Sequence, residues 1–223
     1  MKQIAIIILL ATSCIVRNTY AQTYQNQISG VATQTKDYTD IKGSPYLSDD
    51  WAKGSVLLNN MQAYSNIEVK YNEYTDKLHF RGKNDETLNF SDKVKEFTIT
   101  YTKETNLITE HYRSGYNNIP GIETDAYLQT LSEGKAQLLK KTLKKIQTNN
   151  EYGSISTNKS FVPSIRYYII NGEKASMIKK DKKSVFSALG NKQSELESYS
   201  KTNNIDFKKD ADLINLITYY NGL

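Results

Sequence analysis

The side chains able to do chemistry are few and scattered. The 223-residue chain has two histidines, His79 and His111, and one cysteine, Cys14. His79 stands between Leu78 and Phe80, and His111 follows Glu110. A metal centre wants three or four His, Cys or carboxylate ligands at recognisable spacing, which two isolated imidazoles do not supply. Asp49 and Asp50 adjoin but lack the Asp-x-Asp-x-Asp-Gly spacing of a calcium loop. No Gly-x-Ser-x-Gly elbow, Gly-rich phosphate loop or dinucleotide fingerprint occurs. A carboxylate pair is invisible in sequence, because separation in space sets its mechanism. Asp49, Asp50, Glu110 and Glu123 are the loop and strand-end acids that would serve, and each reads more simply as a solvated charge. No catalytic, cofactor-binding or metal residue is assigned, and no cofactor is expected.

Two lysine runs are the conspicuous charges, Lys140 to Lys145 and Lys179 to Lys183. They would meet an acidic glycan or lipid phosphate, or simply keep one face of an element wet. Lys and Arg number 29 against 24 acids, a net charge of +5. That excess is too small and too dispersed to argue for nucleic acid. It would draw the chain toward an anionic surface.

The N-terminus reads as an address. Lys2 gives a basic start, Ile4 to Val16 is apolar, and Thr19-Tyr20-Ala21 precedes Gln22 with small residues at the positions a signal peptidase needs. Cleavage between Ala21 and Gln22 is expected, and it removes the only cysteine. The rival reading is a lipoprotein signal ending at Ala11-Thr12-Ser13, with Cys14 lipidated. It fits less well, because Ala11 is not a bulky aliphatic and Ile15 and Val16 follow the cysteine. After removal of residues 1–21 no apolar segment is long enough to span a bilayer. The product is expected to be secreted or periplasmic and to fold without disulfides.

The elements that must position these groups are mostly strands. Ile67, Val69 and Tyr71 alternate with charged residues, and after a polar turn Leu78 and Phe80 do the same, which predicts a β-hairpin. Phe97, Ile99 and Tyr101 alternate likewise. Ser55 to Leu58, Thr87 to Phe90 and Leu107 to Tyr112 are shorter strand signals. A second hairpin is expected around Asn171-Gly172, read as a type I′ pair. Residues 125–149 fit either an amphipathic helix or two strands broken at Glu133-Gly134-Lys135. Asp181 is placed to cap a helix that Gly190 stops, and Leu213, Ile214, Ile217 and Tyr220 recur at helical spacing. The lone tryptophan, Trp51, reads as a core anchor. The expectation is an α+β, mainly β fold: an antiparallel body over residues 22–180, built as a sandwich or a curled sheet, with a small helical cap over 181–223.

Three landmarks together carry a resemblance. They are Gly43-Ser44-Pro45-Tyr46-Leu47 with Trp51 and Gly54, the strand Ile67-Glu68-Val69-Lys70-Tyr71-Asn72, and Tyr219-Tyr220-Asn221 near the C-terminus. In these the chain resembles a group of uncharacterised secreted proteins from Bacteroidetes-type bacteria. The resemblance implies export, a β body and a strand-turn-strand over Leu131 to Lys135. It implies no catalytic motif. The functional expectation is a non-enzymatic binding or interaction module of the cell envelope, its partner an unknown envelope protein or glycan. The alternative is a carboxylate-dependent hydrolase of envelope or extracellular polymer.

Overall fold

The computed structural model describes residues 28–33, 38–150 and 157–223. The expected leader, with Cys14, Ala21 and Gln22, lies outside them. The strands are β1 (Gly30–Ala32), β2 (Ile41–Lys42), β3 (Ala52–Leu58), β4 (Ala63–Asn72), β5 (Lys77–Arg81), β6 (Thr87–Phe90), β7 (Val94–Lys103), β8 (Asn106–Arg113), β9 (Leu128–Ser132), β10 (Ala136–Asn150), β11 (Thr157–Asn171) and β12 (Lys174–Ile178). Three helices follow: α1 (Lys182–Leu189), α2 (Gln193–Thr202) and α3 (Asp210–Asn221).

All twelve strands belong to one open sheet, ordered β1-β6-β5-β4-β3-β7-β8-β9-β10-β11-β12. Pairing is antiparallel except where β2 lies parallel to β11. The sheet bends far enough for the β4–β5 tip to touch β10. β9 pairs with β10 only over Leu138 to Lys140. Just beyond, the Lys144 N–H donates to the Glu73 carbonyl of that tip at 2.9 Å. Period-two alternation sets the core. Ile67, Val69 and Tyr71 of β4, Leu78 and Phe80 of β5, and Phe97, Ile99 and Tyr101 of β7 are buried in one cluster. Gly54 lets β3 approach its neighbours there: a Cβ would press on the Thr98 carbonyl and the Val69 side chain.

Residues 125–149 are strands, not helix. Gly134 adopts φ +140° between β9 and β10, a conformation that side chains disfavour. The helices cover the same end of the sheet. Leu138, Ile169 and Ile178 share a buried cluster with Val185, Leu196, Leu213 and Ile217. Asp181 caps α1 as expected, its Oδ1 accepting from the Ser184 N–H at 2.8 Å, and Gly190 ends it at φ +77°. The β11–β12 hairpin forms one residue later than the Asn171-Gly172 reading. Asn171 pairs with Lys174, and of the central residues Gly172 and Glu173 only the glycine has positive φ, +59°. That is the sign pattern of a type II′ turn. Trp51 is half-buried and lies outside the main core cluster. It packs over the Lys70 ammonium with Tyr46.

Candidate functional site

The densest polar chemistry lies where the β4–β5 tip meets β10. Asn72 organises the tip: its Oδ1 accepts from the Tyr74 and Thr75 N–H groups, each at 3.0 Å. The segment around Pro45 clamps the tip from outside, through Glu73 N–H to Pro45 carbonyl and Leu47 N–H to Tyr71 carbonyl, both 2.9 Å. Inside, the Tyr71 hydroxyl donates to Asp76 Oδ1 at 2.5 Å. The Lys141 ammonium lies 2.5 Å from Asp76 Oδ2 and donates to the Tyr127 carbonyl at 2.8 Å. Lys144 pairs with Glu73 at 3.3 Å and donates to the Tyr46 carbonyl. Glu110 holds two hydroxyls, from Tyr112 at 2.6 Å and from Tyr101 at 3.2 Å.

Burial governs the electrostatics here. It pushes the Glu73 carboxyl up, the Lys144 charge works against it, and Glu110 adds to the rise. It pushes the Lys141 ammonium down, opposed by Asp76. The Tyr71 and Tyr112 hydroxyls are held well above the ordinary tyrosine value, by burial first and then by Asp76 and Glu110 respectively. Glu73 and Lys141 are 4% and 6% exposed. Every charge in the cluster other than Glu110 has an opposite charge, and Glu110 has two hydroxyls. Such a network ties a tip to a strand.

The other sequence candidates do not assemble. Asp49, Asp50 and Glu123 are exposed. The Asp49 carbonyl, not its carboxylate, takes the Lys70 ammonium. His79 on β5 and His111 on β8 stand four places apart in the strand order, about 19 Å at normal strand spacing. Among the described residues no three His, Cys, Asp or Glu side chains converge as a metal site would require. The Lys140 to Lys145 run is divided by its strand. Lys140 goes to Asp210 of α3 at 3.4 Å, while Lys141 and Lys144 go to the tip. Sequence reasoning saw these lysines and not their partners, which lie 65 to 71 residues away in the chain.

His79 is buried on β5. It is 5% exposed because the loop at Tyr46 folds over it, edge to ring at 6.3 Å. Among the described residues its Nδ1 has no hydrogen-bond partner. Burial holds its pKa below the usual 6.5; Asn89 opposes this, and Lys77 and Lys70 add to it. A depressed folded-state pKa means that the unfolded chain binds the proton more readily. Stability is therefore full above pH 6.5 and is lost as pH falls through the folded value. The melting temperature is expected to drop on acidification from pH 7.5 to 5.5, with a slope of at most about 1.4 kcal/mol per pH unit from this group. His79→Gln should flatten that slope in parallel thermal melts. An unchanged slope would mean that His79 charges freely in place.

The second site is an open basic furrow at the far edge of the sheet. One cavity, about 470 Å³, lies between β12 and α1. Another, about 650 Å³, runs from Ile165 and Tyr167 of β11 to Lys208. They share Met177, Ile178, Lys179, Asp181 and Ser184, so they form one furrow. Lys174, Lys179, Lys183 and Lys208 line it and are exposed. Among the described residues none of these four has an acidic partner in ion-pair range. Lys180, by contrast, is tied to Asp210 at 2.5 Å and lies over the Tyr167 ring. The one carboxylate in the furrow, Asp181, is engaged in capping α1. Met177 is 57% exposed at its centre.

The fold and furrow define a mainly β protein, an open antiparallel sheet with three helices over one end. Among the described residues no helix is long and apolar enough to cross a membrane. Comparison with family models, with curated proteins and with solved structures finds no match to this chain.

Proposed function

We propose that this is an exported, non-enzymatic interaction module of the cell envelope whose contact surface is the furrow along β12. The observation that carries the reading is the contrast between the two polar sites. At the β4–β5 tip each charge is consumed in holding the fold together. In the furrow four lysines have no acidic partner among the described residues, and the one carboxylate there is engaged in capping α1. Uncompensated charge beside exposed methionine suits a partner surface better than a reaction. In this reading the body is a curled sheet, because its β4–β5 tip reaches β10 within a single strand path. Export rests on the leader-like residues before Gln22, with Cys14 lipidation the alternative anchor. The resemblance to secreted Bacteroidetes-type proteins agrees with that placement.

The test compares wild-type protein with Lys174→Glu/Lys183→Glu in crosslinked native envelopes. Loss of a discrete adduct in the variant, with its melting temperature unchanged, is the expected result. An identical adduct pattern would refute the furrow as the contact surface.

The hydrolase alternative rests on Glu73, whose carboxyl is pushed up by burial and by the nearby Glu110 charge, and on Glu110 itself. Glu73 is enclosed and paired, and neither acid lines the furrow or the cavity beside Tyr199 and Tyr219. Turnover of envelope polymer that Glu110→Gln abolished would make that the better reading.

A further inference from the structure

We propose that the free edge of β12 accepts an extended acidic segment of a partner polypeptide as an added strand. The inference rests on the furrow being the contact surface and specifies what it takes. β12 ends the strand order, with β11 on one side and, among the described residues, no strand on the other. Asn171 and Lys174 close a two-residue turn, so this pair exchanges both ladder hydrogen bonds. Alternation then gives the next bonded pairs as Ile169 with Ser176 and Tyr167 with Ile178. The N–H and C=O groups of Ala175 and Met177 therefore point away from β11. Among the described residues no turn, loop or cap takes them.

Two features select the occupant. Outward amides and carbonyls at alternate residues match another polypeptide backbone, whereas a glycan or polyphosphate would leave them to water. The four unpaired lysines set its charge. Lys174 is on β12 itself, Lys179 just past its end, Lys183 on α1, and Lys208 at the far end of the furrow. A second copy of this chain docked edge to edge would bring these lysines against their own copies. An acidic strand would answer them. Met177, about half exposed, offers apolar contact for the side chains of the incoming strand that fall on its face of the sheet.

The probe is a capped Val-Asp alternating heptapeptide added to the full-length protein at low salt, followed by amide NMR. Saturable shifts centred on Ala175 and Met177 are expected. Affinity should fall about tenfold or more in Lys174→Glu/Lys183→Glu, roughly the loss of one charge-assisted contact. N-methylation of alternate peptide amides should weaken binding by at least a similar factor, because it removes the donors that meet β12. Equal binding by the N-methylated peptide would show charge attraction without strand addition and overturn the inference. So would shifts that avoid β12, which would leave its lysines as guards against edge pairing. A dimer in native mass measurements that Lys174→Glu/Lys183→Glu strengthened would identify a second copy as the occupant. Each of these failures leaves the envelope crosslinking result to decide separately whether the furrow is a contact surface at all.

Discussion

Asp76→Asn is expected to lower the unfolding free energy by about 3 kcal/mol or more, and adding Lys141→Met should recover much of that loss. Asp76 receives the Tyr71 hydroxyl on one oxygen and the Lys141 ammonium on the other. Asparagine keeps the shape and the Oδ1 acceptor, and it tolerates the φ of +56° that Asp76 adopts. What it removes is the charge opposite a lysine that is 6% exposed, together with the Oδ2 acceptor that the Tyr127 N–H reaches at 3.3 Å. A buried cation without its counter-ion costs about 3–5 kcal/mol, while replacing the whole pair by apolar and neutral groups is often close to neutral. For a chain of this size, 3 kcal/mol is roughly 6–12 °C in melting temperature. Urea melts of the wild type, both single variants and the double variant close a mutant cycle. A single variant as stable as wild type would mean that water reaches Lys141 and that the tip is not sealed on β10.

Asn221→Ala is expected to cost about 2–4 kcal/mol. One amide at the end of α3 latches the β9–β10 turn. Its Oδ1 accepts from the Ala136 N–H at 2.8 Å, and its Nδ2 donates to the Glu133 and Ala136 carbonyls, each at 2.9 Å. Ala136 is fully buried, so its backbone groups would lose partners that water cannot replace. Each such orphan costs about 1–3 kcal/mol. The latch also explains Gly134, where a Cβ would collide with the Asn221 amide. Chemical denaturation measures the loss, and hydrogen exchange at Ala136 should quicken before the rest of β10. A loss below about 0.5 kcal/mol would mean that the turn holds without the helix.

These two sites show what the sequence made legible. Alternation at Ile67, Val69 and Tyr71 and at Phe97, Ile99 and Tyr101 located the core face, because period two is a local property of the chain. Asp181 and Gly190 bounded α1 for the same reason: a cap acts within one turn. Gly134 was ambiguous, since a glycine in an apolar run weakens a helix and suits a hairpin alike, and the residue that decides it, Asn221, is 87 positions away. The Asn171-Gly172 turn was misplaced by one residue because a lone glycine satisfies either turn type. His79 could not be seen as buried, for its cover comes from the separate Tyr46 loop. Nor could the furrow be read from the Lys179 to Lys183 run, because Lys180 and Lys182 are paired while Lys174 and Lys208 join it from elsewhere.

The most direct measurement places a photo-crosslinking side chain at Met177 and, as a control, at Leu107, which is 75% exposed at the remote end of β8. Both variants are expressed in the native organism and irradiated in intact cells. A discrete high-mass adduct from position 177 that is absent from position 107 is the predicted result. Adducts of equal yield from both positions, or from position 107 alone, would contradict a contact surface along β12.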